Sequence, residues 1–203
     1  NNTAPKQDTK ATIDTTNASR GYVSVAYYNT SKKLKGYISL GGRDQFFSMR
    51  NDGNWTNLPL TLGSGTYEIR ILENTTGTKY GSVLSESATF NDGGQMDRYL
   101  VSIPTIEYSS GMGAIQKAAA LSSGKSEADK VAAIYEYVVM NTSYDYDKLT
   151  WVQNGYEPDV EDTYKSRKGI CYDYAALFGA MCRSQGIPTK MVKGYVTGVS
   201  GYH

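Results

Sequence analysis

Two hydrophobic periods divide the chain. From residue 20 to residue 103 apolar and polar positions alternate in short runs. In GYVSVAYY, Tyr22, Ser24 and Ala26 fall on one face and Val23, Val25 and Tyr27 on the other. In TYEIRILE, Tyr67, Ile69 and Ile71 point one way and Glu68 and Arg70 the other, with Leu72 breaking the polar side. A period of two predicts half-buried strands. Turn signals separate the runs at Asn51-Asp52-Gly53, Gly63-Ser64-Gly65, Asn74 to Gly77 and Asn91 to Gly94, residues that tolerate the backbone of tight hairpins. Short strands at this spacing predict an antiparallel, sandwich-like module over 20–103. Residues 1–19 carry no apolar period and few large side chains, too little to offset ordering entropy, so a flexible polar linker is expected there.

From about residue 109 the period becomes helical. GMGAIQKAAALSSG predicts a short helix, and SEADKVAAIYEYVVMN a stronger one. In the second, Ser126 with Asp129 forms a capping pair, Val131, Ile134, Tyr135 and Val138 make one apolar stripe, and Asn141 is a stop signal. Residues 142–164 hold tyrosines, acids and Pro158 without a steady period, which predicts a long loop with at most a short helix. A third helix is expected from Cys171 to Ser184 or Gln185. Gly186 suits the left-handed position after its end, and Pro188 forbids continuation. TKMVKGYV, residues 189–196, then predicts a strand. The domain reading is a linker over 1–19, a β module over 20–103 and an α-rich unit over 104–203, an α+β chain.

Composition narrows the function class. The chain has 203 residues and a formal net charge of +1, which removes the electrostatic footprint of a nucleic-acid binder and of a polybasic membrane anchor. No apolar run approaches the roughly 18 residues of a membrane helix. Eighteen tyrosines against four phenylalanines, with abundant Thr, Ser, Gly and Asn, fit a β-rich extracellular or cell-surface protein. The absence of a signal segment and of an initiator methionine fits a fragment of a secreted chain.

The candidate chemistry lies at one cysteine. Cys171 and Cys182 are eleven positions apart on one predicted helix, so their Cα atoms would stand about 16 Å apart, beyond the ~7 Å reach of a disulfide. Cys182 follows Phe178 and Met181 on an apolar face, the setting of an inert buried thiol. Cys171 opens the helix. A helix N-terminus carries free N–H groups and partial positive charge; both favour thiolate, and the N–H groups can donate to an oxyanion. Gly169 keeps the approach clear. A small residue at a tight loop-to-helix junction accounts for the same position equally well.

The neighbouring residues separate these readings. GICYDYAALFGAMCRSQGIPTKMVKGY resembles the transglutaminase-like superfamily of papain-type thiol enzymes, through Gly169, Cys171, Asp173, Tyr174 and Ala175, then Arg183, Gly186, Ile187 and Pro188, then Gly194 and Tyr195. NTSYDYD, residues 141–147, resembles the segment that precedes the family's active loop. The resemblance covers roughly 105–203 and implies a cysteine-protease-like domain. It also implies a catalytic histidine where His203 stands, 32 positions after Cys171. An aspartate that orients the histidine is expected beyond position 203, so the domain is expected to be truncated. More weakly, residues 20–103 resemble β modules ahead of such domains in bacterial secreted proteins.

The resemblance implies a thiol enzyme with Cys171 as nucleophile and His203 as base. It would act on protein or peptide amide bonds, possible cell-wall substrates among them, by hydrolysis or acyl transfer. The expected activity is incomplete in this fragment. Two alternatives stand beside it: a non-catalytic surface or adhesion module that keeps the fold, and a carbohydrate-binding role for the β half. No cofactor or metal is called for. Ser122–Ser126 imitates the end of a phosphate-binding loop, but Ala119 stands where that motif needs glycine. Asp145-Tyr146-Asp147 lacks the glycine of a calcium loop.

Overall fold

A computed structural model describes residues 11–28, 31–153 and 155–198. The chain forms two compact units that meet after Pro104.

The first unit contains two antiparallel sheets. One has strand order β1 (Thr12–Asp14), β2 (Tyr22–Ala26), β5 (Thr56–Pro59). The other has order β4 (Arg43–Ser48), β3 (Leu34–Leu40), β6 (Gly65–Thr76), β7 (Lys79–Phe90). Both sheets feed one apolar core: Val23, Val25 and Leu58 from the first, Leu34, Ile38, Tyr67, Ile69, Ile71 and Phe90 from the second. Gly36 on β3 permits close approach, because a Cβ there would stand 2.7 Å from the Leu58 side chain on β5. The β3–β4 hairpin turns through Gly41 and Gly42, with φ of 59° and 79°, the left-handed pair that tight hairpins demand.

Two expectations for this unit change. The predicted linker over 1–19 contributes β1, whose Ile13 pairs with Val25 and packs on the core. Strand pairing uses the backbone, so a polar run with one apolar residue can join a sheet edge. The β2 strand is buried on both faces, Ser24 included. The Ser24 hydroxyl is satisfied by Asn57 Oδ1 at 2.8 Å. In β6, Ile71 and Leu72 are both buried where the register with β7 slips, Ile71 facing Leu84 and Leu72 facing Ser82.

The second unit gathers helices around one. α1 is Gly113–Ser122, α2 Glu127–Asn141, α3 Tyr146–Trp151, α4 Val160–Ser166 and α5 Cys171–Ser184. α5 buries Ala176, Leu177, Gly179, Ala180, Met181 and Cys182, and α1, α2 and α4 pack on it. Gly179 leaves room for Ile106, whose Cδ1 would lie 3.1 Å from a Cβ there. Burial of this face supplies the unit's hydrophobic stabilisation.

The long loop expected over 142–164 holds two helices, α3 and α4. Each is started by an aspartate: Asp145 accepts from Lys148 N and Asp159 from Asp162 N. These are N-cap signals, hidden because helices of six and seven residues are too short to display a period. On α2, Ile134 and Val138 are buried, whereas Tyr135 is exposed and meets Phe178 edge-on at 6.3 Å. Ser126 caps α2 as expected. The strand expected over 189–196 is absent: these residues lie outside any strand element, and Val192 and Val196 are exposed. Their apolar alternation has no neighbouring strand to bury it among the described residues.

Candidate functional site

Two short strands bring the site together. β8 (Ser143–Tyr144) pairs in parallel with β9 (Lys168–Gly169), in the register Ser143 to Lys168 and Tyr144 to Gly169. Backbone bonds from Ser143 N to Arg167 O, 2.9 Å, and from Asp145 N to Gly169 O, 3.0 Å, complete the pairing. The chain then passes Ile170 and enters α5 at Cys171, which is exposed.

The start of α5 is unusual in its cap. Ile170 occupies the cap position and has no side-chain acceptor, so the cap closes off none of the first-turn N–H groups. The positive end of the helix therefore stays open beside the Cys171 thiol. Asp173, on the first turn, accepts instead from the backbone N–H of the cap residue itself. Its Oδ2 accepts from Ile170 N at 2.8 Å and from Lys148 Nζ at 2.9 Å, and its Oδ1 accepts from Tyr156 OH at 2.5 Å. Asp173 is fully buried and Lys148 is 8% exposed. Gly169 must be glycine because a Cβ there would stand 2.6 Å from Asp173 Cβ.

Burial by itself would lower the Lys148 ammonium, but hydrogen bonds to Tyr156 and Asp173 and the Asp173 charge outweigh it and raise it to about 12. The Tyr156 phenol is raised, first by burial and then by its bond to Asp173. On the far side of this trio, Tyr172 OH donates to Glu157 Oε2 at 3.2 Å, and Lys193 Nζ stands 3.7 Å above the Tyr172 ring. Burial, reinforced by Glu157, pushes the Tyr172 phenol well above its usual range. Burial also lowers Lys193 against the pull of Glu157.

Tyr144 faces the cysteine. Tyr144 pairs with Gly169, two residues before Cys171, across the β8–β9 ladder, and its phenol interacts electrostatically with Cys171. Its ring lies 6.4 Å from that of Tyr174, which follows Cys171 on the same helix face, and 5.1 Å from that of Tyr146. Burial raises the Tyr144 phenol first, with Cys171 adding to it. Tyr174 OH in turn donates to Thr142 O at 2.5 Å, tying the helix face back to the segment before β8.

The other predicted positions divide. Cys182 is buried and free at the far end of α5. Its thiol is pushed up to about 11 by burial, with a contact to Thr189 acting the other way. Arg183 is buried and donates twice to Thr189 O, at 3.0 and 2.7 Å. Gly186 takes the left-handed turn at φ 79° that ends the helix. His203 lies outside the described residues. Among the described residues no cluster of three His, Cys, Asp or Glu side chains offers a metal set. No helix of the described residues is long and apolar enough to cross a membrane. Sequence reasoning missed Lys148, Tyr156 and the part played by Tyr144. Lys148 and Tyr156 sit in an aperiodic stretch with nothing to mark them, whereas Tyr144 lay inside the quoted NTSYDYD.

Comparison with known proteins adds a family match. Residues 115–203 match the family model of the transglutaminase-like superfamily, so this part of the chain is similar to that superfamily. One relative, an uncharacterized protein named YebA from Bacillus subtilis (strain 168), is 30% identical over 71 residues. That alignment covers 34% of this chain and 10% of the relative, so the chain matches about a tenth of that protein's length. No solved structure matches the chain.

Proposed function

We propose that residues 105–203 carry a thiol site acting on amide bonds of proteins or peptides, with Cys171 as the nucleophile. The observation that carries the reading is the exposed Cys171 at the open N-terminus of α5, beneath the Tyr144 phenol, within a transglutaminase-like segment. In this reading the thiolate sulfur attacks the carbonyl carbon and the C–S bond forms. The carbonyl oxygen becomes an oxyanion facing the Cys171 N–H and the Tyr144 O–H. Collapse breaks the C–N bond, and the amine leaves with the proton taken from the thiol. Water or a second amine then attacks the thioester, the C–S bond breaks, and the Cys171 thiol is regenerated as an acid or a new amide leaves. His203 is proposed as the proton carrier on the family resemblance alone. The protein is proposed to work at an extracellular or cell-surface location, on the strength of its composition.

For residues 11–104 the proposal is a sandwich-like module, supported by one apolar core drawn from both antiparallel sheets. The test of the thiol reading is covalent. The full chain is incubated with an activated acyl ester and with a glutamine-containing peptide, quenched in acid and read by peptide mass. An acyl adduct on Cys171, absent in Cys171→Ala and never on Cys182, is the expected result. No adduct from either donor would overturn the reading and leave a surface module that keeps the fold.

A further inference from the structure

Buried Lys148 and Asp173, with half-buried Tyr156, join the two segments on which the site depends. Lys148 belongs to α3, and its backbone N donates to Asp145 Oδ1 at 3.0 Å at the start of that helix. Asp145 follows Tyr144 directly. The ammonium of Lys148 and the O–H of Tyr156 therefore hold the β8–α3 segment against Asp173, one turn into α5. Besides this contact, the β8 segment is held by its two-residue pairing with β9 and by the Tyr174 bond to Thr142 O.

A buried ion pair is a weak stabiliser, because desolvation consumes most of the Coulombic gain. An apolar pair of similar volume would fill the same space. It would not fix direction. Here both Asp173 oxygens are committed, and one of them is shared between Lys148 Nζ and the backbone N of Ile170, the residue before Cys171. A single carboxylate thus sets the backbone that presents the thiol and the segment that presents Tyr144. The sterically enforced glycine at 169, in van der Waals conflict with any side chain because of Asp173, keeps the carboxylate against that backbone.

We infer that Lys148 is a positioning residue: through the buried carboxylate of Asp173 it locks the segment carrying Tyr144 to the turn of α5 carrying Cys171. The functional meaning of this lock rests on the thiol reading above, but its test does not. The experiment is a mutant cycle on the full chain. The second-order rate of Cys171 alkylation by iodoacetamide at fixed neutral pH is read by peptide mass. The variants are Tyr144→Phe, the charge-neutral pair Lys148→Met with Asp173→Asn, and all three together. Tyr144→Phe alone is expected to change the rate by about threefold or more, and its effect is expected to vanish when the pair is already replaced, a coupling of ordinary size for linked residues.

A merely structural trio would lower resistance to urea yet leave the Tyr144→Phe effect intact in folded protein; that result overturns the inference. So does a wild-type rate indifferent to Tyr144→Phe. Protection of Cys182 reports whether each variant is folded. If the pair does not fold, Lys148→Gln, which removes the ammonium bond to Asp173, serves as the background. A reduced Tyr144 effect there supports the lock, and a full effect overturns it. A protein that shows the coupling but forms no acyl adduct would lose the thiol reading and keep the positioning.

Discussion

At the scale of single residues, the two cysteines show how position on one helix decides chemistry. Cys171 stands at the open end of α5, exposed, and Cys182 three turns on is buried among apolar side chains. Burial disfavours the charged thiolate, which is why the Cys182 thiol rises to about 11 from an ordinary 9.0. The folded state then holds a proton that the unfolded chain releases first. Stability from this group is fully present below pH 9 and is lost as pH rises towards 11. Two pH units correspond to about 3 kcal/mol. Under reducing conditions, the stability difference between wild type and Cys182→Ala in urea should shrink by about 2 kcal/mol between pH 9 and pH 11. A flat difference across the window would show that Cys182 is solvated.

At the scale of elements, α1 depends on a borrowed cap. Met112 precedes α1 and offers no side-chain cap. The carboxylate of Glu161 on α4 reaches across instead, accepting from Gly113 N at 3.1 Å and Ala114 N at 3.2 Å. Burial would raise the Glu161 carboxyl, but the N–H groups of Ala114 and Gly113 and the nearby Lys165 overcome it and hold it below its usual value. A depressed carboxyl contributes stability above its unfolded pKa, about 4.3, and the contribution is lost as pH falls through the folded value. Glu161→Gln should therefore weaken the α1–α4 junction at neutral pH and make little difference well below pH 4, as read by amide exchange in α1. Equal protection at both pH values would remove Glu161 as the cap.

These elements also show where pattern reading stops. α2 was legible because fifteen residues give its stripe four turns to repeat. α5 was legible from its glycine stop and its motif. α3 and α4 were not, since six or seven residues hold too few positions for a period. Asp145 and Asp159 carried the only local signal, and without the helix behind it an aspartate reads as a loop residue. The strand expected over 189–196 failed for a different reason. Its alternation is real, but a strand is a relation between two segments, and residues 189–196 form no strand element.

At the scale of the whole molecule, the two units have separate cores. The first draws on Ile38, Leu58, Tyr67, Ile69 and Phe90, and the second on α5 and the helices that pack against it. Damage to one core should stay there. Ile69 is fully buried, and Ile69→Ala should cost about 2–5 kcal/mol. In urea the β signal of the variant should melt earlier, while protection of Cys182 from alkylation holds to the wild-type midpoint. Simultaneous loss of both would mean that the units unfold as one.

Periodic and local properties were legible along the chain: a β-rich first half, helices over 113–122 and 127–141, an α5 that begins at Cys171, and the motif around that cysteine. Each is written in the spacing of neighbouring residues. What stands around the thiol is set by folding alone. Lys148 lies 25 positions from Asp173 and Tyr144 lies 27 from Cys171, and no pattern along a chain specifies a contact across such a gap. Those residues meet because a two-strand parallel pairing and a packed helix bring aperiodic segments together. A buried carboxylate then finds its partners through burial itself, because an uncompensated charge there would be too costly to keep.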